Sequence, residues 1–178
     1  MKHRLALWAV IASLRLATLL SAQPALRLVE KAIDLSHPVD NINASDVATQ
    51  LASRDGADLV FFDVRKLEEF ATSHLAHAIH IDPDMSAETF TQQYGSLITG
   101  KDLVLYCSVG YRSAILLERI RQPATAAGAH SVSNLRGGIF RWYNEGHPVV
   151  DVEGETDKIH PYDRKWGRLV TQRVTAPD

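Results

Sequence analysis

Two short apolar runs, Leu59-Val60-Phe61-Phe62 and Leu103-Val104-Leu105-Tyr106, constrain this chain more than any other feature. A strand with one face in water alternates apolar and polar residues. These runs do not alternate, so both faces must be covered, as in a parallel sheet layered by helices. The segments around them fit that arrangement. Val47, Leu51 and Ala52 share one face of a helix predicted over 45–54, with Asn43 or Ser45 as its cap and Asp55-Gly56 as its stop. A short helix is expected over Glu68 to Ser73, a strand over Ile79 to Ile81, and a helix over 86–98 with Phe90 and Tyr94 four apart. Ile115, Leu116, Leu117 and Ile120 define a helix that Pro123 should end. Ser131 to Leu135 reads as the last strand, Gly137-Gly138 as a turn, and Ile139 to Asn144 as a final short helix. Strands alternating with helices predict an α/β fold: a three-layer sandwich with a central parallel sheet flanked by helices and joined by right-handed crossovers. Ligands in such sheets bind beyond the carboxyl ends of the strands.

Composition limits the function classes. With 178 residues, 46% of them hydrophobic, the chain has material for one ordinary globular domain. Nineteen Lys and Arg against 21 Asp and Glu leave a net charge of −2, without the basic excess that drives nucleic-acid binding. Cys107 is the single cysteine, which excludes an internal disulfide, a CxxC redox pair and a cysteine-rich zinc site.

Lys2, His3 and Arg4 precede an apolar run from Leu5 to Leu14, and no acidic residue occurs before Glu30. This is the layout of a secretory signal peptide over residues 1–25, with a cut after Ala22, and it predicts an exported, periplasmic protein. The uninterrupted run is about half of the ~20 residues that a membrane-crossing helix needs. Arg15 breaks the apolar stretch, and an uncleaved N-terminal membrane anchor is the alternative.

The chemistry concentrates at Cys107. Cys107-Ser108-Val109-Gly110-Tyr111-Arg112-Ser113 joins a buried strand to a helix, and Gly110 permits backbone conformations closed to other residues. A loop of this kind can turn its N–H groups inward at a helix N-terminus, where they hold an anion and favour a thiolate for the same electrostatic reason. Arg112 adds a permanent positive charge. The expected site is Cys107 as nucleophile and Arg112 as cationic stabiliser, with Ser108, Val109, Gly110, Tyr111 and Ser113 forming the substrate-binding cradle.

At these residues the sequence resembles the rhodanese family of single-domain sulfurtransferases. The resemblance rests on Asp63-Val64-Arg65 with Glu69-Phe70, on His74-Leu75-Ala76-His77-Ala78, on the loop from Cys107 to Ser113, and on Leu135-Arg136-Gly137-Gly138 with Trp142 and Gly146-His147-Pro148-Val149. It covers residues 40–152 and leaves 153–178 as a C-terminal extension. It implies a persulfide on Cys107, formed from a small sulfur-containing anion or a persulfide donor and discharged to a thiol or cyanide, with a protein acceptor as a further option. No metal or organic cofactor is implied. A non-catalytic sulfur-binding or protein-binding module of the same fold is the alternative. A cysteine-dependent phosphatase fits less well, because its loop holds one more residue between Cys and Arg than the four found here. Some family members carry basic residues after the cysteine, suited to dianionic thiosulfate, where this chain has neutral Ser108 and Val109. Where the family often has Pro-Gly, leading into the third strand, this chain has Ala76-His77.

Four further expectations concern residues around the loop. Arg65 is expected to pair with Glu69, four residues on, and Asp63 to support Arg112 or the loop. His74, His77 and His80 are read as structural or solvent-facing. Trp142 and Phe140 are read as core, and Arg136 as a surface residue within reach of the site rim. Tyr162 and Trp166, four apart, could pin the C-terminal extension to the domain as a short helix.

Overall fold

The structure, a computed structural model, describes residues 23–53 and 58–171. The expected leader, its cut after Ala22 and the Asp55-Gly56 stop lie outside the described residues, apart from the leader's last three positions.

Five parallel strands form the central sheet: β1 (Asn41–Ile42), β2 (Leu59–Asp63), β3 (Ile79–His80), β4 (Asp102–Tyr106) and β5 (Ser131–Leu135), in the order β1-β5-β4-β2-β3. The two apolar runs are neighbours, with Val60 opposite Leu103 and Phe62 opposite Leu105. Both faces are covered. Along β4, Val104 and Tyr106 enter one core while Leu103 and Leu105, followed by Cys107, enter the other, the period-2 alternation of a strand. The helices are α1 (residues 23–36), α2 (Ala44–Ala52), α3 (Leu67–Thr72), α4 (Ala87–Ile98), α5 (Tyr111–Ala126) and α6 (Gly138–Asn144). Helices α4 and α5 pack together over the Phe62, Leu103 and Leu105 face. Helices α1, α2 and α6 contribute to the core on the opposite face. The expected three-layer sandwich is the observed fold.

The structure departs from the sequence reading in four places. Helix α5 does not stop at Pro123; it runs through it to Ala126. The ring removes one N–H from the helix ladder, but Ala124 beyond it is fully buried, and Ala127 N donates to the Pro123 carbonyl at 2.9 Å to close the last turn. Helix α1 and strand β1 carry no expectation from the sequence reading, yet Leu26 and Ile33 of α1 are buried in the core. A small antiparallel hairpin, β6 (Val149–Asp151) with β7 (Gly154–Thr156), follows α6. In the extension, Trp166–Leu169 is a single 3-10 turn, and Tyr162 precedes it with φ +63, so the two aromatic residues do not share a helix.

The turn into β3 keeps a left-handed residue without glycine. Ala78 N donates to the Leu75 carbonyl at 3.0 Å across the turn, and exposed His77 takes φ +61 at the position where the family's Gly would stand.

Candidate active site

Strand β4 is the middle strand of the sheet. The chain leaves β2 toward one edge and β4 toward the other, and such a switch point leaves a crevice at the strands' carboxyl ends. Cys107 is the first residue beyond β4. Its thiol is 1% exposed and lies at the floor of a cavity of about 520 Å³. Gly110, with φ +96, turns its amide back so that the N–H donates to Cys107 Sγ at 3.2 Å. The next residue starts α5, which places the sulfur at the positive end of a 16-residue helix.

The second Gly-rich segment explains how the loop is held. Ile139 N donates to the Cys107 carbonyl at 2.9 Å and Phe140 N to the Ser108 carbonyl at 3.0 Å, so the start of α6 seizes two carbonyls of the loop. This requires contact between main chains. A Cβ at Gly138 would overlap the Cys107 carbonyl oxygen and lie 2.8 Å from the Ser108 carbonyl, so only glycine fits there.

Charge around the thiol is organised by Glu69. Its carboxylate accepts both terminal nitrogens of Arg112 at 2.9 Å each and the Ser108 hydroxyl at 2.8 Å, and it also accepts Lys66 N at 3.0 Å at the start of α3. Arg112 Nη2 donates to Ser108 Oγ at 3.0 Å, and its guanidinium lies 5.0 Å from the Tyr162 ring centre. Burial of Glu69 would raise its carboxyl, but the Arg112 hydrogen bonds and charge, with those from Lys66 and Ser108, prevail and hold it at about 2. Burial would lower Arg112. Its hydrogen bonds to Glu69 and its interaction with the Cys107 sulfur outweigh that and hold the guanidinium above its ordinary value.

The expected partnerships at this site are therefore corrected. Arg65 pairs with Asp63, through Nε at 3.0 and 3.1 Å and Nη2 at 2.7 Å, and gives Nη2 to the Ser73 carbonyl at 2.6 Å. Arg65 N also donates to Asp63 Oδ1, a local turn that brings the guanidinium back over its own strand end. Asp63 is thereby occupied and does not hold Arg112. Both Asp63 and Arg65 are completely buried behind the site, with Arg65 5.9 Å from the Tyr106 ring centre. Glu69 does the work that the sequence reading gave to Asp63. Nothing in local spacing marks it, because its partners Ser108 and Arg112 lie 39 and 43 residues away.

Of the expected cradle, Ser108, Val109 and Tyr111 line the cavity with Cys107 and Arg112, while Gly110 contributes its N–H to the sulfur and is not part of the lining. Nor is Ser113: it is fully buried and donates to Asn134 Oδ1 of β5 at 2.7 Å, tying α5 to the sheet. Arg136 lies away from the site, 3.4 Å from Asp34 of α1. Trp142 and Phe140 are core, and Trp142 Nε1 donates to the Pro148 carbonyl at 2.7 Å. His74 stacks on Phe70, His80 Nε2 bonds the Arg65 carbonyl at 2.7 Å, and His77 is exposed in the turn before β3; among the described residues no group of three or more His, Cys, Asp or Glu is placed to hold a metal. The remaining cavity walls are unannounced in the sequence. Val29, Ala32, Ile33 and Ser36 of α1 form one, and Tyr162 and Trp166 of the extension form the other.

Comparison with known proteins agrees with this geometry. The Rhodanese-like domain family profile matches residues 46–145. A sulfurtransferase of Allochromatium vinosum is 28% identical over 116 residues, covering 65% of this chain and 99% of that protein. An uncharacterized protein of Synechocystis sp. is 32% identical over 104 residues, covering 58% of this chain, which spans only 52% of that protein. The thiosulfate sulfurtransferase of Pseudomonas aeruginosa shares the fold at 17% identity with a TM-score of 0.55, over 81% of this chain and 26% of that enzyme. A cysteine loop closed by the Gly-Gly start of α6, on a parallel sheet whose matched span is more than half of the sequence, makes this chain a member of the rhodanese-like domain family.

Proposed function

We propose that this protein transfers sulfane sulfur through a persulfide on Cys107. The observation that carries the reading is the Gly110 N–H aimed at Cys107 Sγ, at a helix N-terminus and on the floor of a cavity. An amide fixed in that direction stabilises negative charge on sulfur with no reorganisation during reaction. The Cys107 thiolate attacks the outer sulfur of a donor, a new S–S bond forms on Cys107, and the donor's remaining sulfur leaves with the electron pair of the broken bond. An acceptor thiolate or cyanide then takes the outer sulfur and returns the Cys107 thiolate. With Cys107 as the single cysteine, discharge is to an external molecule. Mass spectrometry after donor treatment should find one added sulfur on Cys107 and none in Cys107→Ala; an unmodified Cys107 would overturn the reading.

A second reading, a sulfur-holding module without turnover, draws support from the 1% exposure of Cys107 and from the engagement of Arg112 by Glu69. Loading of Cys107 with no release to any acceptor is the result that selects it. Phosphatase chemistry has less support, because the two terminal nitrogens of Arg112 face Glu69 and leave a phosphate no free bidentate partner.

The expected export belongs to the same proposal. A cut after Ala22 would leave Gln23, whose side-chain oxygen accepts a hydrogen bond from Arg141 Nη1, as the first residue. N-terminal sequencing of the mature protein should begin at Gln23, and an intact Met1 in soluble cytosol would refute export.

A further inference from the structure

The cavity above Cys107 is larger and less polar than sulfur transfer from a small inorganic anion requires. At about 520 Å³ it falls in the range of sites for small organic ligands. The six side chains that wall it, Val29, Ala32, Ile33, Ser36, Tyr162 and Trp166, carry no charge. The charged lining group is Arg112, and Glu69 already matches its charge. A compact dianion would shed its water here and find no uncompensated cation, which is costly. An apolar substituent would gain from burial against the same walls. Cys107 is 1% exposed at the floor, within reach of a slim molecule but not of a cysteine on the flat surface of a folded protein. Both walls also come from outside residues 46–145, the span of the family match.

Resting on the sulfur-transfer reading above, we propose that the substrate is a low-molecular-mass organic sulfane-sulfur compound whose apolar group is held between α1 and the Tyr162–Trp166 segment. For a thiosulfonate donor, R–SO2–S⁻, the Cys107 thiolate attacks the outer sulfur, the Cys107 S–S bond forms, and the sulfinate R–SO2⁻ leaves with the electron pair of the cleaved bond. For a hydropersulfide the leaving group is the thiolate R–S⁻. The charge balances in both cases without an added oxidant.

The test uses the full chain and alkanethiosulfonates from methyl to octyl, with thiosulfate as comparator, and follows the kcat/KM of Cys107 loading by mass spectrometry. Loading efficiency should rise up to about fourfold per methylene until the cavity is full, with thiosulfate slowest, and Ala32→Asp, an exposed position on α1, should flatten that slope. Loading independent of chain length, or fastest from thiosulfate, would overturn the apolar-substrate proposal and leave sulfur transfer standing. If no donor loads Cys107, sulfur transfer falls, and inert alkanesulfonates then decide the remaining point. Protection of Cys107 from alkylation that strengthens with chain length would uphold an apolar ligand site, and absence of protection would overturn it.

Discussion

The site depends most on one carboxylate. Glu69 is 1% exposed and serves Arg112, Ser108 and the first turn of α3 at once, so its removal leaves the half-buried Arg112 guanidinium without its carboxylate and frees the hydroxyl that positions the loop. Its carboxyl is held at about 2, below the ordinary 4.5, so it contributes stability that is fully present above pH 4.5 and is lost as pH falls through about 2. The gap corresponds to about 3 kcal/mol. Glu69→Gln should therefore destabilise the protein by about 2–3 kcal/mol near neutrality, with the difference from the wild type shrinking as the pH falls from 4.5 to 2. Urea denaturation at a series of pH values measures this, and a difference constant across that range would show that Glu69 is not the linked group. At this scale the structure places Cys107, Gly110 and Arg112 in one loop, as their order in the sequence suggested, and pairs the surrounding charges differently. Cys107, Gly110 and Arg112 announce themselves by residue type and order, whereas the exchange of partners among Asp63, Arg65, Glu69 and Arg112 is set by how α3 meets the cysteine loop.

Among the elements, β2, β4, α4 and α5 were legible because β2 and β4 are continuous apolar runs and the two helices carry apolar residues at helical spacing. Helix α1 and strand β1 were not. Strand β1 has two residues, and it exists because β5 offers it an edge, pairing Asn41 with Asn134 and Ile42 with Leu135. Helix α5 shows the opposite failure, a strong local signal overruled by packing. Pro123 should end a helix, and its missing N–H and ring clash cost about 3 kcal/mol in a helix interior, yet burial of Ala124 and closure of the Ala127 turn carry the helix on to Ala126. Pro123→Ala should restore one ladder hydrogen bond and stabilise the protein by about 1–2 kcal/mol after the looser unfolded chain is counted. For a chain of this length that is a rise of several degrees in Tm. A lowered Tm in differential scanning calorimetry would mean that the proline ring packs better than it disrupts.

The whole molecule is more than the matched span of residues 46–145. Helix α1 inserts Leu26 and Ile33 into the core and holds Arg141 of α6 through Glu30, Nη2 to Oε1 at 2.7 Å. Leu26→Ala should cost about 2–4 kcal/mol, with far- and near-ultraviolet circular dichroism following one common transition. Separate melting of a helical signal, with the remaining midpoint unmoved, would show that α1 only rests on the domain. The sequence by itself determined the layered α/β architecture, the place of Cys107 at a strand end and the family, because burial on both strand faces and a cysteine loop of fixed length leave few other solutions. The tertiary structure alone decided which carboxylate neutralises Arg112 and which segments close over the thiol. Those contacts join residues far apart in the chain, where neither periodicity nor spacing carries information.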